Sequence, residues 1–241
     1  MNSFILIHGA WHGSWCWQKV VPLLENQGHA IIAPDLPGHR SGDNPDGISL
    51  EDYTRFVVDL IREQIEPVIL VGHSMSGIVI SQAAEHVPEK IRRLVYLSAY
   101  LLQDGQTMFE VAKKDSEGLV FSNLEVSKNR KIARIKENVL REAFYNDCSD
   151  EDFYFARSNL VSQPLAPIST PIHITKERWG RVPRSYIECS MDRAITNSIQ
   201  QEMHTNIPCE SVSRLESGHS PFLSVPEKLA EILGSEADRF T

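Results

Sequence analysis

Five short apolar runs, at residues 4–7, 30–33, 68–71, 94–97 and 185–189, each end in turn-forming or polar residues. Between them lie segments whose apolar positions recur with the period of a helix. Short runs that are apolar throughout suit strands buried on both faces, and the helices between them supply the crossovers that parallel neighbours need. The alternation predicts an α/β chain with a mostly parallel central sheet and helices on both faces. Helices are expected at 15–26, 50–63, 76–86, 193–203 and 226–240, the last opening with Pro226 in its first turn.

The rhythm breaks at about 101–170, where the chain becomes more polar. It carries no convincing strand there and reads as helices with apolar positions at Ile132, Ile135, Val139, Phe153, Phe155 and Leu160. A helical insertion at that point would form a cap over the carboxyl edge of the sheet, the edge at which open parallel sheets bind ligands. With 241 residues, 41% of them hydrophobic, the chain is expected to be one domain, 1–241, carrying that cap.

Formal net charge is -8, and the basic residues are scattered except for "KNRKIARIK" from Lys128 to Lys136. That run reads as the solvated face of a helix, and an acidic chain of this kind is not expected to bind nucleic acid. No stretch approaches membrane-spanning length, so no membrane partner is expected. The apolar pattern begins at Phe4, which leaves no room before it for a secretion signal. The cysteines Cys16, Cys148, Cys189 and Cys209 are far apart and form no C-x-x-C, so neither zinc nor a disulfide framework is indicated and a reduced, cytoplasmic protein is expected. H-E-x-x-H, P-loop and G-x-G-x-x-G patterns are missing, and neither a metal nor a cofactor is expected. Nothing in the sequence reports on oligomeric state.

The chemistry concentrates around "VILVGHSMSG", residues 68–77. Gly72-His73-Ser74-Met75 starts a G-x-S-x-G pattern whose fifth position is Ser76 instead of glycine. An apolar strand precedes Ser74 and a helical segment follows it, so Ser74 falls on the strand-to-helix turn where a nucleophile elbow belongs. Ser76 falls inside the first helical turn and reads as a small residue in a glycine's place, with Gly77 kept for close packing.

A serine hydroxyl needs a base, a group to orient that base, and donors for the oxyanion. Among nine histidines, His219 stands out in the Ser- and Gly-rich loop "LESGHSPFL", after a possible last strand and before the final helix. His8 and His73 compete, His8 as turn support and His73 too close in sequence to fold back onto Ser74. Asp192 follows the strand at 185–189 and is the candidate orienting acid, with Asp104 in reserve and Asp35 assigned to stabilising its own loop. The order Ser74, Asp192, His219 is that of α/β-hydrolases. The amide of Met75, and that of Ala10 in the loop "HGAWHGSW", are the candidate oxyanion donors. Gly9 and Gly13 let that loop approach a ligand.

Together "LIHGAWHGSWCW", "PDLPGH", "GHSMSG", "RLVYLSAYL", "YIECSMDRAI" and "SGHSPFLSVPEKLAEIL" resemble the α/β-hydrolase family that contains plant methylesterases, hydroxynitrile lyases and bacterial esterases including pyrethroid hydrolases. The resemblance spans nearly the whole chain and leaves only the cap weakly matched. It implies the α/β-hydrolase fold and the same roles for Ser74, His219, Asp192, Ala10 and Met75. Hydroxynitrile lyases of the family carry threonine at Gly9 and lysine at Ser220, and this chain has neither.

The expected function is hydrolysis of a small to medium apolar carboxylic ester through an acyl-enzyme, without cofactor. The alternatives are lyase, cyclase or C–C bond hydrolase chemistry on the same site, or a non-catalytic small-molecule receptor. Trp11 and Trp179 could border an apolar pocket, although core packing accounts for both as well.

Overall fold

The computed structural model describes residues 2–238. Its strands are β1 (Ser3–Ile7), β2 (Ala30–Ile32), β3 (Val68–His73), β4 (Ile91–Leu97), β5 (Leu124–Val126), β6 (Ile132–Ile135), β7 (Gln163–Pro164), β8 (Arg184–Cys189) and β9 (Ser211–Leu215). Its α-helices are α1 (Val21–Asn26), α2 (Leu50–Arg62), α3 (Ser76–His86), α4 (Met108–Ala112), α5 (Leu140–Phe144), α6 (Asp150–Asn159), α7 (Leu165–Ser169), α8 (Asn197–Asn206), α9 (Pro221–Ser224) and α10 (Pro226–Asp238).

Six strands form one sheet in the order β2-β1-β3-β4-β8-β9, and every neighbouring pair in it is parallel. The apolar runs explain this: Phe4 to Ile7 and Val68 to Val71 are essentially inaccessible to solvent, as strands covered on both faces must be. Each such side chain contributes about 1.5–3 kcal/mol relative to exposure. Helix α2 starts at a capping box between Ser49 and Asp52 and buries Tyr53, Val57, Val58 and Ile61 along one face. The chain leaves β1 toward β2 on one side and returns to β3 on the other, so the loops after β1 and β3 diverge and open a crevice at their carboxyl ends.

Several elements differ from the sequence expectation. The helix expected at 15–26 is split into a 3₁₀ turn at Ser14–Trp17 and α1, because Pro22 has no amide proton and fits only the first turn of a helix. The helix expected at 193–203 begins only at Asn197, since the Asp192 carboxylate takes the amides of Ala194 and Ile195 and holds the preceding residues in a turn. The expected final helix corresponds to α10, and its proposed end at Phe240 lies outside the described residues.

Segment 101–170 is not helical throughout. Besides α4 to α7 it contains a three-stranded antiparallel sheet in the order β5-β6-β7, with Leu124 opposite Ile135 and Ile132 opposite Pro164. The basic run at 128–136 is therefore a turn followed by β6. Ala133 and Ile135 are buried while Arg134 and Lys136 are exposed, a period of two that is too short to override the helical reading.

Candidate active site

Ser74 occupies the turn between β3 and α3 with φ at 55°, a left-handed conformation that is strained for a residue bearing a side chain. The turn is fixed by its own backbone: Ser74 N–H donates to Leu97 O at 3.2 Å, and Ser74 O accepts from Tyr100 N at 3.0 Å. Trp11 and Ser98 also have positive φ, 62° and 38°, so three of the four such non-glycine residues among the described residues surround this one crevice. Gly72 and Gly77 permit the close approach of α3. A Cβ on Gly72 would lie 2.7 Å from Ser76 O, and one on Gly77 would collide with the main chain of Tyr100.

The loops after β8 and β9 bring Asp192 and His219 to the same edge. His219 Nε2 accepts from Ser74 Oγ at 3.1 Å, and His219 Nδ1–H donates to Asp192 Oδ2 at 2.7 Å. The three residues are nearly inaccessible, at 8% for Ser74, 1% for His219 and 5% for Asp192, so the contacts operate away from bulk water. Asp192 is well supplied with donors: Ala194 N–H at 2.7 Å and Ile195 N–H at 2.9 Å reach Oδ1, and the Ser98 hydroxyl reaches Oδ2. Gln200 braces the same loop by donating to Ile195 O at 2.8 Å and accepting from Cys189 N at 3.0 Å.

Met75 follows Ser74, and Ala10 follows Gly9, which lies against Ser74; among the described residues neither the Ala10 nor the Met75 amide N–H donates to an acceptor. At Met75, the cap residue of α3, this follows from helix geometry, which leaves the first amides without partners. Gly9 allows the loop its close approach, since a Cβ there would lie 2.9 Å from both His73 Nδ1 and Ser74 Cβ.

A cluster of neutral histidines positions the loop after β1, and sequence reasoning missed it. His8 Nδ1–H donates to Gly9 O at 2.8 Å, and its Nε2 accepts from Leu36 N–H at 3.0 Å. His12 Nδ1–H donates to Ala10 O at 2.8 Å, and His39 Nδ1–H donates to His12 O at 2.6 Å. Gly9 O belongs to the same peptide unit as the Ala10 N–H, so the His8 contact fixes where that amide points. His73 does not act on Ser74; its Nε2–H donates to His219 O at 2.8 Å and holds the main chain of that loop. Burial pushes His12 down to about 3 and His39 down to about 4, and drives His8 and His73 well below the ordinary histidine value. The repeated histidines in "HGAWH" and "PGH" were the available signal, but only the fold shows that they meet.

The competing assignments fall elsewhere. Asp104 is exposed and accepts from Ile174 N at 3.0 Å, away from the serine. Asp35 accepts from Ser14 N at 2.6 Å and braces the loop after β1. Cys16 is fully buried, and burial raises its thiol well above the usual range, which keeps it protonated and unreactive. Trp179 packs between Tyr96 and Arg184 rather than at the crevice, its indole N–H donating to Tyr96 Oη at 3.0 Å. Ser76 does more than fill a glycine's place: its hydroxyl donates to His8 O and ties α3 to the loop after β1.

Beside the crevice lies a cleft of about 560 Å³, lined by Trp11, Ile132, Ile135, Leu140, Leu160 and Val161 together with Arg40, Arg134, Arg157, Asp43 and Glu137. Trp11 and Phe144 stand between it and His219, with ring centroids 5.7 Å apart and Phe144 5.5 Å from the His219 ring.

A parallel sheet with a serine on the strand-to-helix turn beside its switch point, and a histidine and a carboxylate on later strand-end loops, defines the α/β-hydrolase class. The chain belongs to the alpha/beta hydrolase family, whose model matches residues 4–232. It is 34% identical to a pyrethroid hydrolase of Sphingobium wenxiniae, over 99% of this chain and 88% of that one. It is 29% identical to methylesterase 7 of Arabidopsis thaliana, over 99% and 97%. The crystal structure of a pyrethroid hydrolase from Sphingobium faniae superposes with a TM-score of 0.90 at 31% identity, over 99% of this chain and 98% of that one. Some plant relatives are longer, and this chain spans 55% to 71% of their length. The chain is a serine-dependent α/β-hydrolase of the esterase type.

Proposed function

We propose that the protein hydrolyses carboxylic esters through an acyl-enzyme on Ser74. His219 takes the serine proton as Ser74 Oγ adds to the ester carbonyl and returns it to the leaving alcohol. Water then attacks the acyl-enzyme by the same path. Asp192 holds the His219 ring in the tautomer whose Nε2 is free to accept and stabilises the imidazolium that forms. The amides of Ala10 and Met75 receive the oxyanion. The observation that carries this reading is the continuous relay Ser74 Oγ, His219 Nε2, His219 Nδ1, Asp192 Oδ2, with links of 3.1 and 2.7 Å.

A small to medium apolar ester suits the apolar part of the adjoining cleft, Trp11, Ile132, Ile135, Leu140, Leu160 and Val161. In this reading, segment 101–170 is the cap that supplies most of that apolar lining. Hydrolysis is favoured over cyanohydrin cleavage because Gly9 and Ser220 stand where the lyases the sequence resembles carry threonine and lysine. A side chain at position 9 would need space already taken by His73 and Ser74.

Ser74→Ala is expected to lower turnover of p-nitrophenyl esters by about 10⁴-fold or more, with loss of fluorophosphonate labelling. A variant that keeps half the wild-type rate would overturn the mechanism. A panel that varies acyl and alcohol size then defines the substrate, and release of aldehyde from a cyanohydrin without any ester turnover would favour the lyase alternative.

A further inference from the structure

Three consecutive residues of the segment between β4 and β8 each reach a different loop of the active site. Tyr145 ends α5, and the turn it begins is closed by Cys148 N–H donating to Tyr145 O at 3.1 Å. Inside that turn the three side chains diverge. The Tyr145 hydroxyl, fully buried, donates to His12 Nε2 at 2.8 Å. The direction is set by His12 itself, whose other nitrogen donates to Ala10 O at 2.8 Å, leaving Nε2 as the acceptor. Asn146 Nδ2 donates to Met191 O at 2.9 Å, one residue before Asp192. Asp147 Oδ2 accepts from Gly218 N–H at 2.8 Å, one residue before His219.

We propose that Tyr145, Asn146 and Asp147 form a bracket of positioning residues that sets the spacing of the oxyanion loop, the acid loop and the base loop from one rigid turn. The inference rests on the ester-hydrolase reading, because it takes Ala10, Asp192 and His219 to be the parts that need holding. Among the described residues, none of the three is hydrogen-bonded to Ser74. Each acts through a neighbour: Tyr145 through the His12 ring on the Ala10 carbonyl, Asn146 through the Met191–Asp192 peptide, and Asp147 through the Ser217–Gly218 peptide, one residue short of His219.

Two further observations support a shared role. Gly218 is filled around by the bracket, since a Cβ there would collide with the side-chain oxygen of Asn146 and lie 2.6 Å from Asp147 Oδ1. The base loop is thus seated directly on the turn. The three loops also come from distant parts of the chain, after β1, β8 and β9, so the sheet fixes where they begin but not how their tips are spaced. A single turn that touches all three supplies that spacing, and small misplacements of catalytic groups lower rates steeply.

The test compares Tyr145→Phe, Asn146→Ala, Asp147→Ala and Asp147→Asn with wild type. Each preparation is titrated with a fluorophosphonate, and kcat is expressed per labelled Ser74. Tyr145→Phe keeps the ring and loses only the hydroxyl. Asp147→Asn keeps an oxygen that accepts from Gly218 and serves as the conservative rescue. Tyr145→Phe, Asn146→Ala and Asp147→Ala are each expected to lower kcat per labelled site by about 5- to 20-fold with KM changed less than about twofold. Asp147→Asn is expected to stay within about threefold of wild type. If kcat per labelled site is unchanged in all three, so that any lost rate follows only the number of labelled sites, the bracket is packing alone and the proposal is overturned. If wild-type Ser74 is not labelled, the ester-hydrolase reading fails first and the bracket's role fails with it. Labelled Ser74 with unchanged variants overturns the bracket only.

Discussion

At the scale of single residues, the two serines of "GHSMSG" divide the work. Ser74 holds a strained φ of 55° and contacts His219, while Ser76 is turned away into α3 with its hydroxyl on His8 O. That second contact was not readable from the pattern, in which Ser76 looked like a substitution for glycine. Removing it in Ser76→Ala leaves a buried carbonyl short of a donor, and a loss of about 1 kcal/mol in stability is expected from urea unfolding. Turnover should remain within about tenfold of wild type, because the His8 ring still fixes the Gly9–Ala10 peptide. A rate loss as deep as that of Ser74→Ala would assign the nucleophile to the wrong serine. The strain at Trp11 and Ser98 was equally invisible, since neither residue type marks a left-handed position.

At the scale of elements, β1, β3, β4 and β8 were readable because both of their faces are buried, which leaves a largely apolar run in the sequence, whereas the edge strand β9 alternates between half-buried and exposed residues and leaves none. Short elements that are stabilised by neighbours were not: β6 alternates over only a few residues, and α1 is bounded by a proline that a period count overlooks. Helix α3 was placed correctly at 76–86, and its contact with the loop after β4 depends on Gly77. In Gly77→Ala the new methyl would meet the backbone of Tyr100, with Tyr100 N at 2.9 Å, and a main chain cannot rotate aside. The variant is expected to be less stable by about 1–3 kcal/mol despite the better helix propensity of alanine. An unchanged urea midpoint would show that α3 and that loop can separate at no cost.

At the scale of the whole molecule, the buried histidines link catalytic geometry to acid stability. His8, His12, His39 and His73 are held neutral chiefly by desolvation, with native values of about 3 at His12 and about 4 at His39. Unfolded histidine titrates near the model value of 6.5, so below that pH the unfolded chain binds protons that the native one refuses. Their contribution to stability is therefore complete above about pH 6.5 and is lost as pH falls toward the native values. The melting temperature is expected to drop steeply between pH 6.5 and 4, and the drop should be shallower in His39→Gln, which has one such group fewer. A melting temperature that stays flat across that window would mean that the cluster is protonated in the native state.

The sequence by itself determined the parallel sheet, the place of Ser74 on its turn, and the order in which Asp192 and His219 follow. Those features are carried by local patterns: apolar runs, a glycine-bounded serine, and polar residues just past strand ends. Only the tertiary structure decided that His39 and His73 join His8 and His12 beside one loop, that strands enter segment 101–170, and that Tyr145, Asn146 and Asp147 each reach a different active-site loop. The physical reason is that hydrogen bonds between residues far apart in the chain leave no periodicity behind them. A histidine that braces a carbonyl and a histidine that takes a proton look the same in sequence, and burial and partners alone separate them.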